Sequence, residues 1–246
     1  MENGRAGHHN GETPRPRNLI LQRIPDEQYR GIVRYLVPVD LPPGMRLSEP
    51  NRPLEYVYFP VAGLISINSL TERGESVEVG NIGREGLSGV SGLLGHFQMP
   101  LSVVVQGAGT GLRIRAGILR DEFIKGGIFA HTVNSFIYMQ MVQMAQSVLC
   151  GRLHSVDMRM ARWMLTAADR TESEVIFVTQ ELLSQMLGSR RSTVTVAAGE
   201  LQRKGYIDYS RGKVRITDRP GLESATCECY QVVRGAHDHF VRRPTQ

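Results

Sequence analysis

The apolar positions change rhythm three times along the chain. From residue 19 to about 36, Leu19, Ile20, Leu21, Ile24, Tyr29, Ile32, Val33 and Leu36 recur partly at helical spacing, and Pro25 suits a first helical turn, so a short helical lead-in is expected. Between about 37 and 116 the pattern becomes short β-type runs, at 54–59, 63–70, 76–79, 101–106 and 111–114. Pro42-Pro43-Gly44, Arg73-Gly74, Gly80 to Gly86 and Gly107 to Gly111 separate them, the punctuation of an antiparallel barrel or jelly roll. From about 121 to 149 these breaks vanish. Apolar residues then cover nearly every face of one long helix, more than a single barrel can bury. A second copy of the helix would complete the burial, which predicts a homodimer seamed by Phe136, Ile137, Gln140, Met141, Met144 and Val148; the alternative is a helix buried wholly within one subunit. Methionines suit such an adaptable seam. Another amphipathic helix over 156–168, with Ser155 as candidate N-cap, opens a mostly helical C-terminal domain.

Residues 178–205 carry the most specific pattern. Thr179 can cap a first helix with Glu181 in its first turn and Leu182, Leu183, Met186 and Leu187 on its inner face, and Gly188 ends it. Small Ser184 leaves room for a steeply crossing second helix, whose buried stripe is Val194, Ala197, Ala198 and Leu201. These offsets are those of a helix-turn-helix. The remaining surface offers Thr179, Gln180, Ser189, Arg190, Arg191, Ser192, Thr193, Thr195 and Val196, a donor-rich helix start suited to a major groove. Tyr206 to Ile216 then reads as a hairpin with Arg211-Gly212-Lys213 at its tip, a wing for phosphates. Arg203 adds a further cation on the second helix.

Charge sharpens that reading. The 246-residue chain has 29 Lys and Arg against 24 Asp and Glu, +5 overall. Between 178 and 216 lie seven basic and three acidic residues, a net +4, so most of the excess sits on the expected nucleic-acid surface. Apolar residues make up 41% and charged ones 22%, which excludes a largely disordered or fibrous chain. The opening residues 1–18, rich in Gly, Pro and polar side chains, are expected to form a disordered tail. His8 and His9 belong to it. No run is long and apolar enough for a membrane span and no signal-peptide core is evident, so a cytoplasmic protein with no membrane partner is expected.

Chemistry elsewhere is sparse. Cys150, Cys227 and Cys229 cannot form an even disulfide set and lack C-x-x-C spacing. Cys227 and Cys229 could pair with Cys150 or His237 in a redox or metal site, but ordinary free thiols and no metal are the expectation. His131 and His154 are read as polar or interfacial helix residues. No hydrolytic constellation, P-loop or G-x-G-x-x-G is present, so no enzyme is expected.

A β-barrel, a long apolar helix and a winged helix-turn-helix, in that order, resemble the Crp/Fnr family of bacterial transcription regulators over about 19–221. The resemblance rests on Val57-Tyr58-Phe59-Pro60-Val61-Ala62-Gly63, on Gly83-Arg84-Glu85-Gly86, on Gly151-Arg152-Leu153-His154-Ser155-Val156 with Arg159-Met160-Ala161-Arg162-Trp163, and on Met186 to Thr195. It implies an α+β chain in four parts: the tail 1–18, a cyclic-nucleotide-binding-like β-roll or jelly-roll domain at 19–120, a dimerisation helix at 121–151, and a winged helix-turn-helix domain at 152–246. Its partners would be double-stranded DNA with an inverted-repeat operator and a second copy of the chain, with RNA polymerase left open. An alternative is an effector-binding module whose helix-turn-helix is not the main output.

In cyclic-AMP-binding members a Glu meets the ribose and an Arg meets the cyclic phosphate. Here Gly86, Leu87, Ser88, Gly89 and Val90, with Ser102, would line the effector pocket, Val90 stands in the place of the Glu, and no Arg lies between Arg84 and Arg113. A buried phosphate without its cation loses roughly 2–5 kcal/mol of charge-assisted bonding, so cyclic AMP is not expected and no cofactor is predicted. Iron–sulfur members use four thiolates, which three cysteines do not supply. The resemblance also places Arg191 where relatives set an Arg on guanine, with Arg211 or Lys213 on phosphate. Arg190 as the base reader, with Arg191 on phosphate, is the competing assignment.

Overall fold

The computed structural model describes residues 15–242. The expected tail lies outside them apart from its last four residues, and these are not a tail. Arg15 is ion-paired with Asp26 and stacks 4.7 Å over the Tyr29 ring. Asn18 is fully buried: its amide donates to Pro60 O at 2.9 Å and Gly86 O at 2.7 Å, and its side-chain oxygen caps α1 (Leu19–Arg23). The expected single lead-in helix is two. Pro25 cannot share its bond with the preceding turn and forces Ile24 to an extended ψ of 142°, so α1 stops and α2 (Asp26–Val33) starts after Pro25.

The β domain contains β1 (Val37–Leu41), β2 (Arg46–Ser48), β3 (Tyr56–Pro60), β4 (Leu64–Leu70), β5 (Ser76–Ile82), the short α3 (Val90–Leu93), β6 (Leu101–Gly107) and β7 (Gly109–Arg115). They form two antiparallel sheets, ordered β1-β7-β3 and β2-β6-β4-β5, open in jelly-roll fashion rather than closed as a barrel. Val57, Phe59 and Ile114 of one sheet share a core with Ile65, Ile82 and Val105 of the other. β1 and β2 escape the periodicity analysis. β1 reads Val-Pro-Val-Asp-Leu without alternation, and its Pro38 is tolerated because β1 is an edge strand.

The long apolar segment is also two helices, α4 (Ala116–Ile124) and α5 (Gly127–Leu153), because Gly126 and Gly127 take φ of 81° and 74° between them. Burial corrects the expected dimer seam. Phe136 is fully buried against Phe240 within the same chain, and Gln140 is buried and donates to Asn81 O at 3.2 Å. Ile137 and Met144 are half-buried on the N-terminal core. The large apolar residues that α5 leaves most exposed are Tyr138, Met141, Val148 and Leu153, between 63% and 72% accessible.

α6 (Val156–Thr171) begins the C-terminal domain, with Ser155 at the N-cap position but without a side-chain cap bond. Then come β8 (Val175–Phe177), α7 (Gln180–Met186), α8 (Arg191–Arg203), β9 (Ile207–Ser210), β10 (Lys213–Ile216), α9 (Arg219–Ser224) and α10 (Cys229–Arg242). The sheet β8-β10-β9 backs a core of Met160, Trp163, Met164, Leu183, Val194, Leu201 and Tyr230. Arg219 gathers Asp169, Glu174 and Glu223 into one ion network that ties α6 to α9. α10 was not anticipated. It leaves the winged domain at Tyr230 and runs back along α5, where Phe240 packs 5.9 Å from Phe136 and Arg23 stacks 4.9 Å over it. Within the expected 152–246 domain, α10 therefore also packs on the long helix α5.

The two domains meet through buried polar chemistry. In the Gly83-Arg84-Glu85-Gly86 loop, Glu85 accepts from Gly83 N at 2.9 Å and lies 3.4 Å from Arg170 Nε of α6, both side chains at most 4% exposed. A Cβ on Gly83 would sit 2.6 Å from Arg170 O, and one on Gly86 would sit 2.0 Å from the Phe136 ring. The glycines of this motif let the loop lie flat against α5 and α6. Gly86 and fully buried Leu87 pack in the core beneath this loop. Ser88 pairs its backbone with Tyr58, Gly89 takes φ of 87° before α3, Val90 begins α3, and Ser102 is buried on β6.

Candidate nucleic-acid interface

Local chemistry builds the helix-turn-helix as expected. Thr179 accepts from Leu182 N at 3.2 Å and caps α7, and Glu181 sits in the first turn at the positive end of the dipole. Gly188 turns the chain with φ of 55°. Leu183, Ser184, Met186 and Leu187 are buried, as are Val194, Ala197, Ala198 and Leu201. Each turn of α8 therefore spends one face on the core and presents the other.

That other face carries Arg191, Ser192, Thr193, Thr195 and Val196, all exposed, with Arg190 at the N-cap and Arg203 in the last turn. Arg190 offers no side-chain acceptor to the first-turn N–H groups. Thr179 is exposed, and Gln180 and Ser189 are half-buried at the rim. Thr195 Oγ1 donates to Gln180 Oε1 at 2.8 Å, linking the two helices, and Arg191 reaches Glu181 at 3.9 Å across the exposed turn. An exposed pair of this kind is worth at most about 1 kcal/mol, so Arg191 is readily released to another anion.

The wing is a two-residue hairpin. Ser210 pairs with Lys213, and the tip residues Arg211 and Gly212 take φ of 50° and 74°, so a non-glycine cation is held in the left-handed region with its side chain exposed. Lys213 and Arg215 are exposed on β10. Tyr209 anchors the hairpin by donating to Val178 O at 2.8 Å, and burial pushes its phenol up to about 12, so the donor persists across neutral pH.

Some contributors escaped the reading of the sequence. Arg159 of α6 contacts Leu187 O and holds the end of α7. Gly188 lies against Val77 of the β4–β5 hairpin, where an added Cβ would be 2.8 Å from Val77 Cγ2. Phe177, 68% exposed, stands across from Lys213 in the β8–β10 pair. Nothing in the local pattern marks the first two, since both are long-range contacts. Phe177 likewise reaches the wing only through the β8–β10 pairing, 34 residues before Arg211 in the sequence.

The three thiols are free, as expected, but they are gathered together. Cys150 and Cys227 approach to 3.5 Å between sulfurs, and Cys229 Sγ lies 3.5 Å from His154 Nδ1. His237, the histidine considered for them, instead faces Asp238 at 3.4 Å.

Residues 158–225 match the Crp-like helix-turn-helix domain. No curated protein sequence matches the chain. Among solved structures, a putative Crp/Fnr-family transcriptional regulator from Eubacterium rectale is similar with a TM-score of 0.66 at 18% identity, over 82% of this chain and 94% of that one. FixK2 from Bradyrhizobium japonicum is similar with a TM-score of 0.65 at 14% identity, over 78% and 98% of the two chains. The c-di-GMP-responsive global regulator CLP from Xanthomonas campestris gives 0.65 at 13% identity, over 78% and 99%. The molecule is thus a β-roll joined by a long helix to a helix-turn-helix domain. Its fold is that of the Crp/Fnr-type transcription regulators, and residues 158–225 are a Crp-like helix-turn-helix domain. No helix among the described residues is long and apolar enough to cross a membrane.

Proposed function

We propose that the protein is a homodimeric, sequence-specific regulator of transcription that reads an inverted-repeat operator with α8. The observation that carries this reading is the exposed, acid-poor start of α8 at Arg190 and Arg191 beside a wing tipped by Arg211 and Lys213, on a domain matched as Crp-like. Arg191 serves as the base reader because its planar fork suits guanine O6 and N7, and Lys213 and Arg211 hold phosphate. Ser189, Arg190, Ser192, Thr193, Thr195, Val196 and Arg203 complete the contact face, with Thr179 and Gln180 at its rim.

Operators recovered by selection from random DNA provide the test. Arg191→Ala should cost about 1–3 kcal/mol on the best site and relax preference at one base pair, whereas Lys213→Ala should weaken all sequences alike and lower the slope of log K against log salt by about one. Uniform weakening by Arg191→Ala moves the base contact to Arg190. Failure to retain any DNA at low salt sinks the reading altogether. The same titrations should be unaffected by cyclic AMP: Val90 offers no partner to a ribose, β6 brings no cation, and Arg113 is already stacked 4.6 Å over Tyr56.

Dimerisation runs through the exposed apolar residues of α5, Tyr138, Met141, Val148 and Leu153, a stripe too large to leave in water on a lone helix. Met141→Glu combined with Val148→Glu sets four carboxylates into the two-fold seam and should halve the mass measured by light scattering. Retention of the wild-type mass assigns the interface elsewhere.

A further inference from the structure

We propose that Cys150, His154, Cys227 and Cys229 bind a single zinc ion that fastens the C-terminal helix α10 to the corner between α5 and α6. All four ligand atoms lie within 4.8 Å of one another. Zinc bonds of about 2.3 Å to sulfur and 2.0–2.1 Å to nitrogen, at tetrahedral angles, set sulfurs about 3.8 Å apart and sulfur from nitrogen about 3.6 Å apart. The observed 3.5 Å between Cys150 and Cys227 and 3.5 Å between Cys229 and His154 Nδ1 are close to those edges. A disulfide would need its sulfurs at about 2.05 Å, far inside the Cys150–Cys227 separation.

The donor set points to the metal. Three thiolates and one imidazole are soft to borderline ligands that select zinc over magnesium or calcium, and four protein ligands close the coordination shell, as in structural rather than catalytic sites. A multi-iron cluster interposes several metal and sulfide atoms between its thiolates, which this tight group leaves no room for. Cys150, Cys227 and Cys229 are 0%, 6% and 0% exposed, so the ion would be shielded from water and competing chelators.

The surroundings fit as well. His154 turns Nδ1 to the sulfurs while Nε2 lies 3.4 Å from Glu228 Oε1, the carboxylate–histidine arrangement that fixes ring orientation and strengthens the ligating nitrogen. Zinc with three thiolates carries a net charge of −1, and the guanidinium charges of Arg159 and Arg162 act on Cys150. Cys150 lies in the last turn of α5, His154 is its C-cap one turn later, and Cys227 and Cys229 flank the entry to α10. One ion therefore joins the end of α5, at the corner that leads into α6, to the start of α10. None of this depends on DNA recognition.

The full chain, purified under reducing conditions without added metal, should contain about one zinc per chain by elemental analysis. After removal of that zinc by chelation, titration with Co²⁺ should produce thiolate-to-cobalt charge-transfer absorption and the strong d–d bands of a tetrahedral site, saturating at one equivalent. Chelation should also lower the thermal midpoint and expose the thiols to a colorimetric reagent. Cys227→Ser should abolish the cobalt spectrum, whereas His154→Cys should retain it with added thiolate absorption. Absence of both zinc in the purified chain and cobalt absorption overturns the site, as does a Cys150–Cys227 disulfide in protein alkylated at lysis. Unchanged metal binding by Cys227→Ser and His154→Ala together overturns the ligand set. Should Cys227→Ser not fold, the wild-type cobalt titration decides alone.

Discussion

Arg170→Ala should remove about 3–5 kcal/mol of folding stability, because it leaves the Glu85 carboxylate buried without its counter-charge. Both side chains are nearly inaccessible, and the pair joins the end of α6 to the Gly83–Gly86 loop of the β domain. For a chain of this length the loss corresponds to a fall of roughly 6–20 °C in the thermal midpoint. The charge, not the volume, carries the effect. Arg170→Met with Glu85→Gln removes both charges, keeps an acceptor for Gly83 N and fills similar space, so it should recover most of the lost stability. Differential scanning calorimetry on the three proteins is decisive: if Arg170→Ala melts within about 2 °C of wild type, Glu85 is not the buried charge described here. The prediction also gives the Gly83-Arg84-Glu85-Gly86 sequence a structural task. It is the seat of α6, with Arg84 pairing Glu172 at the rim while Glu85 takes the buried position.

What could be read from the sequence was what is encoded locally. The cap at Thr179, the turn at Gly188 and the stripe Val194, Ala197, Ala198 and Leu201 fall within one continuous stretch of two short helices, and each agrees with the structure. The wing followed for the same reason, since a two-residue hairpin declares itself by its tip. The proposed dimer seam was half-legible. α5 is apolar on nearly all sides, and its pattern could not say that β5 would take Gln140 or that α10 would cover Phe136. Only after those faces are occupied does the exposed stripe at Tyr138, Met141 and Val148 stand out. The thiol group was considered in the sequence with the wrong histidine: 77 residues separate Cys150 from Cys227, and which histidine meets them depends on α10 folding back onto the end of α5 at His154. The β1 edge strand failed for a different reason: Pro38 and an exposed Val37 remove the alternation that marks a strand.

Stability should also fall as pH rises from about 4.5 to about 7, through the carboxyl of Glu78 on β5. Burial pushes this group up from its ordinary 4.5 to about 7, although Ser66 Oγ donates to it at 2.6 Å, Trp163 Nε1 at 2.9 Å and Asn81 Nδ2 at 3.2 Å, and the Arg162 charge favours its ionised form. Between those two pH values the folded chain holds the proton and the unfolded chain has released it. Protonation therefore favours folding, fully below about 4.5, and the advantage is lost as pH rises through about 7. At about 1.4 kcal/mol per pKa unit the full effect is no more than about 3.5 kcal/mol, and smaller to the extent that water reaches a part-buried group. Because Glu78 lies in the β domain and Trp163 in α6, the proton is linked to domain docking as well as to folding. Trp163 is the sole tryptophan of the chain, so its fluorescence reports the bond directly. Wild type should show an emission change centred near pH 7 and a urea midpoint lower at pH 8 than at pH 5. Glu78→Gln, which keeps an acceptor for Trp163 and cannot ionise, should lack the emission change and lose most of the difference between the two urea midpoints. A wild-type emission profile flat from pH 5 to 8, or a Glu78→Gln profile that titrates like wild type, removes Glu78 as the source.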